Sequence, residues 1–584
     1  YCNDDKGSVR KAVNAIKKRI ELRPDPSICA DQEQAKKDIH KILGEEAGID
    51  EIVFEPDRSI VHIEAENIGV AVANRAALLK QIREELFWVP LIKRKPPIKS
   101  QLIENIRSVL YENSDYRRKF LHKTGERIYN GWLRQKKEEW IRITYLGGGR
   151  QVGRSAIFLQ TPESRVLLDC GVDPASDEHA YPYLEAPEFR IEELDAIVIS
   201  HAHLDHVGFI PYLFKYGYRG PIYCTEPTRD IMALIQLDMI KIGREKNDSS
   251  IYTVEEVKEV VKHTICLDLE SVTDITPDVR ITLYNAGHIL GSAMIHIHVG
   301  NGLHNILYTA DIKYAKTHML SASHTQFPRC ETMLIESTYG GKDNIVKGNA
   351  DDEFAEFVHR TVDRGGKVLI PTLGSGRAQE IVVFIEKLIQ KGKLPDIPIY
   401  LDGMLWDIMA IHTAYPEFLN NTLRQRIFHK EENPFLHDNI IRVGSSKERK
   451  QIVEDEGSCI IIATSGMLVG GPSVFYLQEL AADKRNSLVF SCYQAEGTLG
   501  RLIQGGVSEF TVPGGKRARA IPVKLEIFKI EISGHSDRRE LMNFIKNCSP
   551  RPRKVLVNHG EVGRCLDFAR SVHQQFRIET MCPR

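Results

Sequence analysis

Between residues 31 and 95 the apolar positions change period several times. Residues 34–43 carry helical spacing, 51–55 and 59–65 alternate as strands, 75–86 return to a helical pattern, and 87–93 read as a last strand. Helix, strand, strand, helix, strand predicts a small α+β unit, and residues 1–25 look like the end of a similar one before it. Lys95-Pro-Pro97 breaks the pattern. From residue 141 short apolar strands recur, at 141–146, 155–160, 166–169, 196–200, 281–285, 294–299, 306–309 and 333–336. A different rhythm follows, in which strands at 367–371, 398–401 and 459–463 each precede a Gly-rich loop or turn.

These segments divide the 584 residues into several domains, as the length requires. The formal net charge of -1 gives no overall attraction to a polyanion. Charge is nevertheless clustered locally. Residues 93–139 hold about 13 Lys and Arg against 6 Asp and Glu, a pattern open either to nucleic-acid contact or to a solvated helical surface. The 11 cysteines are scattered and form no Cys-x-x-Cys pair, so they read as reduced thiols. No apolar run is long enough to span a bilayer, and a cytoplasmic protein is expected. Asn247-Asp-Ser249 is then an idle glycosylation sequon, and an initial Tyr in place of Met leaves room for residues ahead of it.

The strand at 196–200 runs directly into His201-Ala-His203-Leu-Asp205-His206. Imidazole nitrogen and carboxylate oxygen are ligands that zinc accepts, and the spacing lets His201 and His203 close on one ion while Asp205 and His206 face another. Asp169, His288 and Asp311 likewise sit at strand ends beside small residues, where a scaffold can hold ligands rigidly over a cleft. Two other groups look similar and carry less. His296 and His298 lie inside an alternating strand without a neighbouring carboxylate, and Glu353, Glu356 and His359 read as the acidic first turn of a helix.

The hexad with Asp169, His288 and Asp311 resembles the metallo-β-lactamase superfamily, which implies an αββα sandwich of α/β class. That resemblance implies His201, His203 and His288 on one Zn²⁺, Asp205 and His206 on a second, and Asp311 between them, with Asp169 orienting a ligand imidazole. A pair of divalent ions activates water and stabilises charge on both the attacking and the leaving oxygen. Further on, Glu336-Ser-Thr-Tyr-Gly, Ser533-Gly-His-Ser-Asp537 and Asn558-His-Gly-Glu561 resemble the extra motifs of β-CASP nucleases. They imply Glu336 as a supporting carboxylate, His535 as a phosphate contact or general acid, and His559 completing the second zinc. Catalytic roles are thus expected of Asp205, His535, Glu336 and Asp169. A histidine at position 559 is typical of the RNA-acting members.

The loops Leu373-Gly-Ser-Gly-Arg377 and Thr464-Ser-Gly-Met-Leu468 follow strands and open helices, an arrangement that attracts anions. Ser375, Arg377, Ser465 and Gly466 are therefore candidate substrate contacts, with Arg377 suited to bidentate pairing with a phosphate. The α+β unit at 31–95 resembles a KH domain, with Ala73-Asn74-Arg75-Ala76 where a Gly-x-x-Gly loop is expected, so backbone contact with nucleic acid is in question there.

The whole chain resembles the archaeal KH-containing β-CASP ribonucleases of the cleavage and polyadenylation type. Expected domains are the end of a first KH-like unit at 1–25, a KH-like unit and basic connector at 26–140, metallo-β-lactamase parts at 141–345 and 523–584, and an inserted α/β β-CASP domain at 346–522. The resemblance implies a two-zinc endoribonuclease in transcript 3′-end processing and transcription termination, with 5′–3′ exonuclease activity as a possible addition. It also implies a homodimer, contact with RNA polymerase or its elongation machinery, and no membrane partner. A ribonuclease J-type 5′–3′ exonuclease and a weakly catalytic RNA-binding scaffold are the alternatives, the second disfavoured by the intact ligand set.

Overall fold

A computed structural model describes residues 11–13, 15 and 22–584, without 67–74, 131–138, 175, 177, 246–249, 342, 344–349, 493, 495, 496, 513–518 and 531. Near its start, helix Gln32–Leu43 is capped by Asp31, whose carboxylate accepts from the amides of Glu33 and Gln34, and it ends at Gly44. Its Ala35, Ile39 and Leu43 face one side and pack with Ile52, Val61, Ile63, Ile82 and Trp88. The partners come from β1 (Ile49–Glu55), β2 (Ile60–Ala65), helix Arg75–Glu85 and the approach to β3 (Val89–Arg94). β1 and β2 are antiparallel and β2 and β3 parallel, so the element order matches the sequence pattern. The 73–74 part of the expected Gly-x-x-Gly position, most of residues 1–25 and the sequon at 247–249 lie outside the described residues.

Helices Gln101–Glu112 and Ser114–Asn130 join this unit to the rest, and their basic residues act as fasteners. Arg107 pairs with Glu64, Arg118 with Asp57 at 3.2 Å, and Arg127 with Asp195 at 3.0 Å, while Arg117 donates to the carbonyls of Lys262 and Thr264. Just upstream, Lys93 meets Glu226 at 3.0 Å. Much of the local basic excess is thus spent on intramolecular partners.

The main body is a sandwich of two sheets. One has the order β4-β5-β6-β7-β8-β9, built from Arg142–Gly147, Ala156–Gln160, Arg165–Leu168, Ala196–Val198, Ile222–Cys224 and Thr264–Cys266. The other begins with β10 (Thr273–Asp274), β11 (Val279–Asn285), β12 (Ala293–Val299), β13 (His304–Tyr308) and β14 (Thr332–Glu336). Ile157, Leu159, Val166, Leu168 and Val198 of the first sheet face Ile281, Leu283, Ile295, Ile297, Ile306 and Leu334 of the second in one buried core.

After β14 the chain leaves the sandwich for a second parallel sheet formed by β15 (Val368–Pro371), β16 (Ile399–Asp402), β17 (Ile440–Val443), β18 (Ile460–Ala463) and β19 (Ser487–Phe490). Strands buried on both faces need continuous apolar runs, and Ile460-Ile-Ile-Ala463 is one. A hairpin of β20 (Glu509–Val512) and β21 (Arg519–Pro522) follows, and then β22 (Glu526–Lys529) pairs with β19. The inserted sheet therefore extends past residue 522. The chain returns to the sandwich as β23 (Lys554–Asn558), parallel to β14, and β24 (Glu579–Met581). That register sets Glu336 opposite Asn558 and brings the ends of two distant motifs together. Among the described residues no helix is long and apolar enough to cross a membrane.

Candidate metal centre and phosphate cleft

The metal-site candidates converge where the strands of the two sheets end. His201 and His203 follow β7, and the loop after β6 presses against them from below. Gly171 makes this approach possible, since a Cβ there would stand 1.9 Å from the carbonyl of Asp205. The nitrogens His201 Nε2 and His288 Nε2 lie 3.2 and 3.1 Å from His203 Nδ1. Each ring has a partner on its other nitrogen: Ser200 Oγ for His201, the Ser375 carbonyl for His203 and the Gly534 carbonyl for His288. With N–H donated to those carbonyls by His203 and His288, and to Ser200 Oγ by His201, three lone pairs point at one another.

Burial above all, with neighbouring imidazoles added, pushes His201 and His288 well below the ordinary histidine range, and burial lowers His203 as well. Three neutral imidazoles aimed at a shared point repel unless a cation lies between them, so this donor set fits zinc. Asp311 joins it, with Oδ2 3.5 Å from His201 and 3.7 Å from His288.

Asp205, His206 and His559 form an adjoining group. His206 Nε2 is 3.8 Å from Asp205 Oδ2 and 3.5 Å from Asp311 Oδ2, and His559 Nε2 is 3.5 Å from Asp205 and 3.4 Å from Asp311 Oδ1. Asp311 thus reaches both groups, and its buried Oδ1 has no hydrogen-bond partner. An orphaned carboxylate oxygen between two sets of imidazoles is what a second cation would satisfy. Burial opposes ionisation of Asp311, but His559, His206 and His535 outweigh it and hold the carboxyl well below its usual range. Burial would also lower His206, yet Asp311, Asp205 and Asp169 raise it well above the ordinary range. The positive charge those acids attract is the charge a metal ion supplies.

Asp169, at φ +57°, is buried behind this second group. It accepts from His206 Nδ1 at 2.8 Å, Ser200 N at 2.8 Å, Ser200 Oγ at 2.7 Å and the Tyr308 hydroxyl at 2.9 Å. Four donors fix the carboxylate, and the carboxylate fixes the His206 ring. Ser155 does the same for His559, contacting its Nδ1 at 2.9 Å. Ser155, Ser200 and Tyr308 carry no sequence motif of their own. The available signal was their place at strand ends next to motif residues.

His535 stands 3.1 Å from buried Glu336, whose oxygens also accept from the amides of Ile312 at 2.8 Å and Thr338 at 3.3 Å. Burial alone would lower the His535 ring; Glu336 and Asp311 reverse this and raise it. Asp311, Glu336 and His535 are close enough to form a third metal-like group. Glu336 is already committed to two amides and His535.

From the inserted domain, the loop at 373–377 reaches the metal centre. The Ser375 carbonyl meets His203 Nε2 at 3.3 Å, and the Ser375 hydroxyl is buried without a partner. Arg377 lies beside Gly534, where a Cβ would come 2.7 Å from its Nη2. The second loop differs. Ser465 Oγ donates to the Gly470 carbonyl at 3.2 Å and accepts from Val469 N at 3.1 Å, and the Gly466 carbonyl accepts from Gln494 Nε2 at 2.9 Å. Gly466 packs against the amide of Leu373, so this loop props the first one. Among the described residues no hydrogen bond joins Ser465 or Gly466 to the metal centre.

The two look-alike groups are structural. His296 Nε2 meets the Arg329 carbonyl at 2.6 Å, His298 Nδ1 meets Asn305 at 2.8 Å, and His359 Nε2 meets the Lys393 carbonyl at 3.0 Å.

Three family models match the chain: a metallo-β-lactamase superfamily domain over residues 158–337, a Beta-Casp domain over 378–503, and a Zn-dependent metallo-hydrolase RNA specificity domain over 520–583. Curated relatives resemble it over nearly its whole length. The transcription termination factor FttA of Methanocaldococcus jannaschii is 45% identical across 98% of this chain and 91% of its own. Those of Pyrococcus abyssi and Lokiarchaeum sp. are 48% and 42% identical, across 98% and 99% of this chain and 90% and 91% of theirs.

Proposed function

Because the chain belongs to the FttA family of β-CASP metallo-hydrolases, we propose that it is a zinc-dependent endoribonuclease that cleaves transcripts near their 3′ ends in transcription termination. The observation that carries this reading is the pair of adjoining donor groups spanned by Asp311, with His288 Nε2 and His201 Nε2 of the first meeting His203 Nδ1 at 3.1 and 3.2 Å.

In this reading His201, His203 and His288 would hold one zinc and Asp205, His206 and His559 the other, with Asp311 available to either group. Zinc held there would supply Lewis acidity toward the phosphodiester and would lower the pKa of a water toward neutrality. The protein's residues do the rest. Asp169 and Ser155 keep the rings of His206 and His559 aimed. Arg377 and Ser375 reach a phosphate from the inserted domain, where the guanidinium neutralises its non-bridging oxygens. His535, which Glu336 and Asp311 make more basic against the effect of burial, donates a hydrogen bond to the phosphate and gives its proton to the departing oxygen. Glu336, in contact with His535 Nδ1, sets which ring nitrogen faces the substrate.

RNA is the substrate class, in agreement with the RNA specificity domain matched at the C-terminal end. We extend to this chain the termination role printed for its relatives, and expect cytoplasmic action beside RNA polymerase or its elongation partners, as a homodimer. The unit at 31–95 is assigned as KH-like on its helix-strand-strand-helix-strand order.

Zinc-loaded protein should linearise a circular RNA, which no exonuclease can begin to degrade, and His203→Ala should lose both zinc and cleavage. An unchanged circle alongside degradation of a 5′-phosphorylated linear RNA would instead favour the ribonuclease J-type reading.

A further inference from the structure

Beyond the metal centre lies a run of rings that the proposed chemistry does not use. Tyr181 and Phe209 have centroids 5.0 Å apart, Phe209 and Tyr212 are stacked at 4.4 Å and 24°, and Tyr212 and Tyr216 follow at 4.4 Å and 33°. Phe209 is buried at 4% exposure, whereas Tyr181 and Tyr216 are 43% and 53% exposed, and nearby Tyr183 is 59% exposed. Phe209 therefore roots the run in the core, and Tyr212 packs against a buried cluster that includes Ile106, Ile240, Tyr252 and Val257. Contiguous aromatic surface held rigid in water is unusual on a folded domain and marks a place where a partner binds.

One end of the run, Tyr181 with Phe209, is tied to the metal centre by two routes. The Phe209 amide donates to the Cys170 carbonyl at 3.0 Å, and the Cys170 amide to the carbonyl of His206 at 2.8 Å. On the other side Arg154 Nη1 donates to the Tyr181 carbonyl at 2.9 Å, and the next residue, Ser155, contacts His559. The run starts at the rim of the donor groups and continues along helix Ile210–Lys215. Exposed Lys215 lies in sequence between its last two rings.

We propose that Tyr181, Tyr212 and Tyr216 form a stacking track for single-stranded RNA leading to or from the metal centre. The proposal rests on the nuclease reading above and specifies where the strand lies outside the cleft. Aromatic rings accept any base through its π-face, which suits an enzyme that must hold a strand without reading it. Tyrosine adds a hydroxyl that can meet a ribose 2′-hydroxyl, and Arg154 and Lys215 offer charge to the backbone. Continuity with the metal centre and the hydroxyl-edged rings favour RNA over a protein partner.

The test is binding to metal-stripped full-length protein, read by fluorescence anisotropy with labelled RNAs of about 6 and about 20 nucleotides, bracketing typical site sizes. The longer RNA should bind more tightly, and Tyr216→Ala and Tyr181→Ala should each reduce that advantage on the order of 10-fold, with Tyr216→Phe, which keeps the stacking ring and loses only the hydroxyl, reducing it much less. A 5-iodouridine-substituted long RNA should photocrosslink to Tyr181 or Tyr216. Thermal melting of each variant separates lost stacking from lost fold. An equal length advantage in wild type and both alanine variants, with crosslinks elsewhere, overturns the track. Failure of the wild type to cleave any RNA while the tyrosine-dependent binding persists would overturn the nuclease reading and leave the track standing.

Discussion

The metal centre and the connector at 101–130 are both dense in polar and charged side chains, and they are built on opposite logic. In the connector three arginines each have a carboxylate partner: Arg107 with Glu64, Arg118 with Asp57, Arg127 with Asp195. In the metal centre the partners sit behind the ligands, on Asp169, Ser155, Ser200, Ser375 and Gly534, and the free lone pairs face inward with Asp311 Oδ1 unsatisfied. Density of charge marked both regions in the sequence. Only the second has groups that fold into mutual conflict, and that conflict is what a bound cation relieves.

If this contrast is right, residues of the metal centre separate into those that hold metal and those that act beside it. His535→Ala should keep zinc by metal analysis and lower cleavage on the order of 10²–10⁴-fold, because it removes the proton donor while the two donor groups remain. Loss of zinc in that variant would place His535 among the ligands and erase the distinction between the Glu336 dyad and the neighbouring groups. A smaller effect is expected one layer out. Asp169→Asn leaves its amide shape near His206 but weakens the hold on the ring, and should lower zinc affinity on the order of 10–100-fold with the fold intact by circular dichroism. Unaltered zinc affinity would reduce Asp169 to a cap for the loop after β6.

Much of this centre was legible because its residues come in short motifs. His201 to His206 is contiguous, and Glu336, His535 and His559 each sit in a recognisable string beside small residues. Strands β4 to β7 and β11 to β14 were legible for a related reason, since each is a compact apolar run, whereas β8, β9 and β10, only two or three residues long, were not read. Two kinds of information were hidden. The partners of the basic connector are separated from it by long stretches of chain, as Arg117 is from Lys262 and Thr264, so pairing could not be told from a surface awaiting nucleic acid. The loops at 373–377 and 464–468 share the strand, small residue and helix pattern, and only tertiary packing decides that the first touches His203 while the second closes on itself. Ser155 was missed because a lone serine at a strand start has many uses.

The connector side of the comparison yields the mildest prediction, a dependence of stability on acid that the metal centre need not share. Glu226 takes Lys93 at 3.0 Å and Arg229 at 3.2 Å, fastening β3 to helix Glu226–Glu245. Burial raises its carboxyl, yet Lys93 and Arg229 overcome this and hold it at about 2, below the ordinary glutamate value of 4.5. Between those values the unfolded chain binds the proton and the folded chain does not, so stability is present above pH 4.5 and is lost as pH falls toward 2. The side chain is about a third exposed, at 32%, and solvent screening therefore leaves only about 1 kcal/mol of the nominal gain. Glu226→Gln should destabilise the protein by about that amount at pH 7 in urea unfolding, and the gap between variant and wild type should narrow as the pH is brought to about 3. A gap that stays the same at both pH values would mean that Glu226 contributes packing and not charge, and that the fasteners of the connector do not depend on ionisation in the way the paired geometry implies.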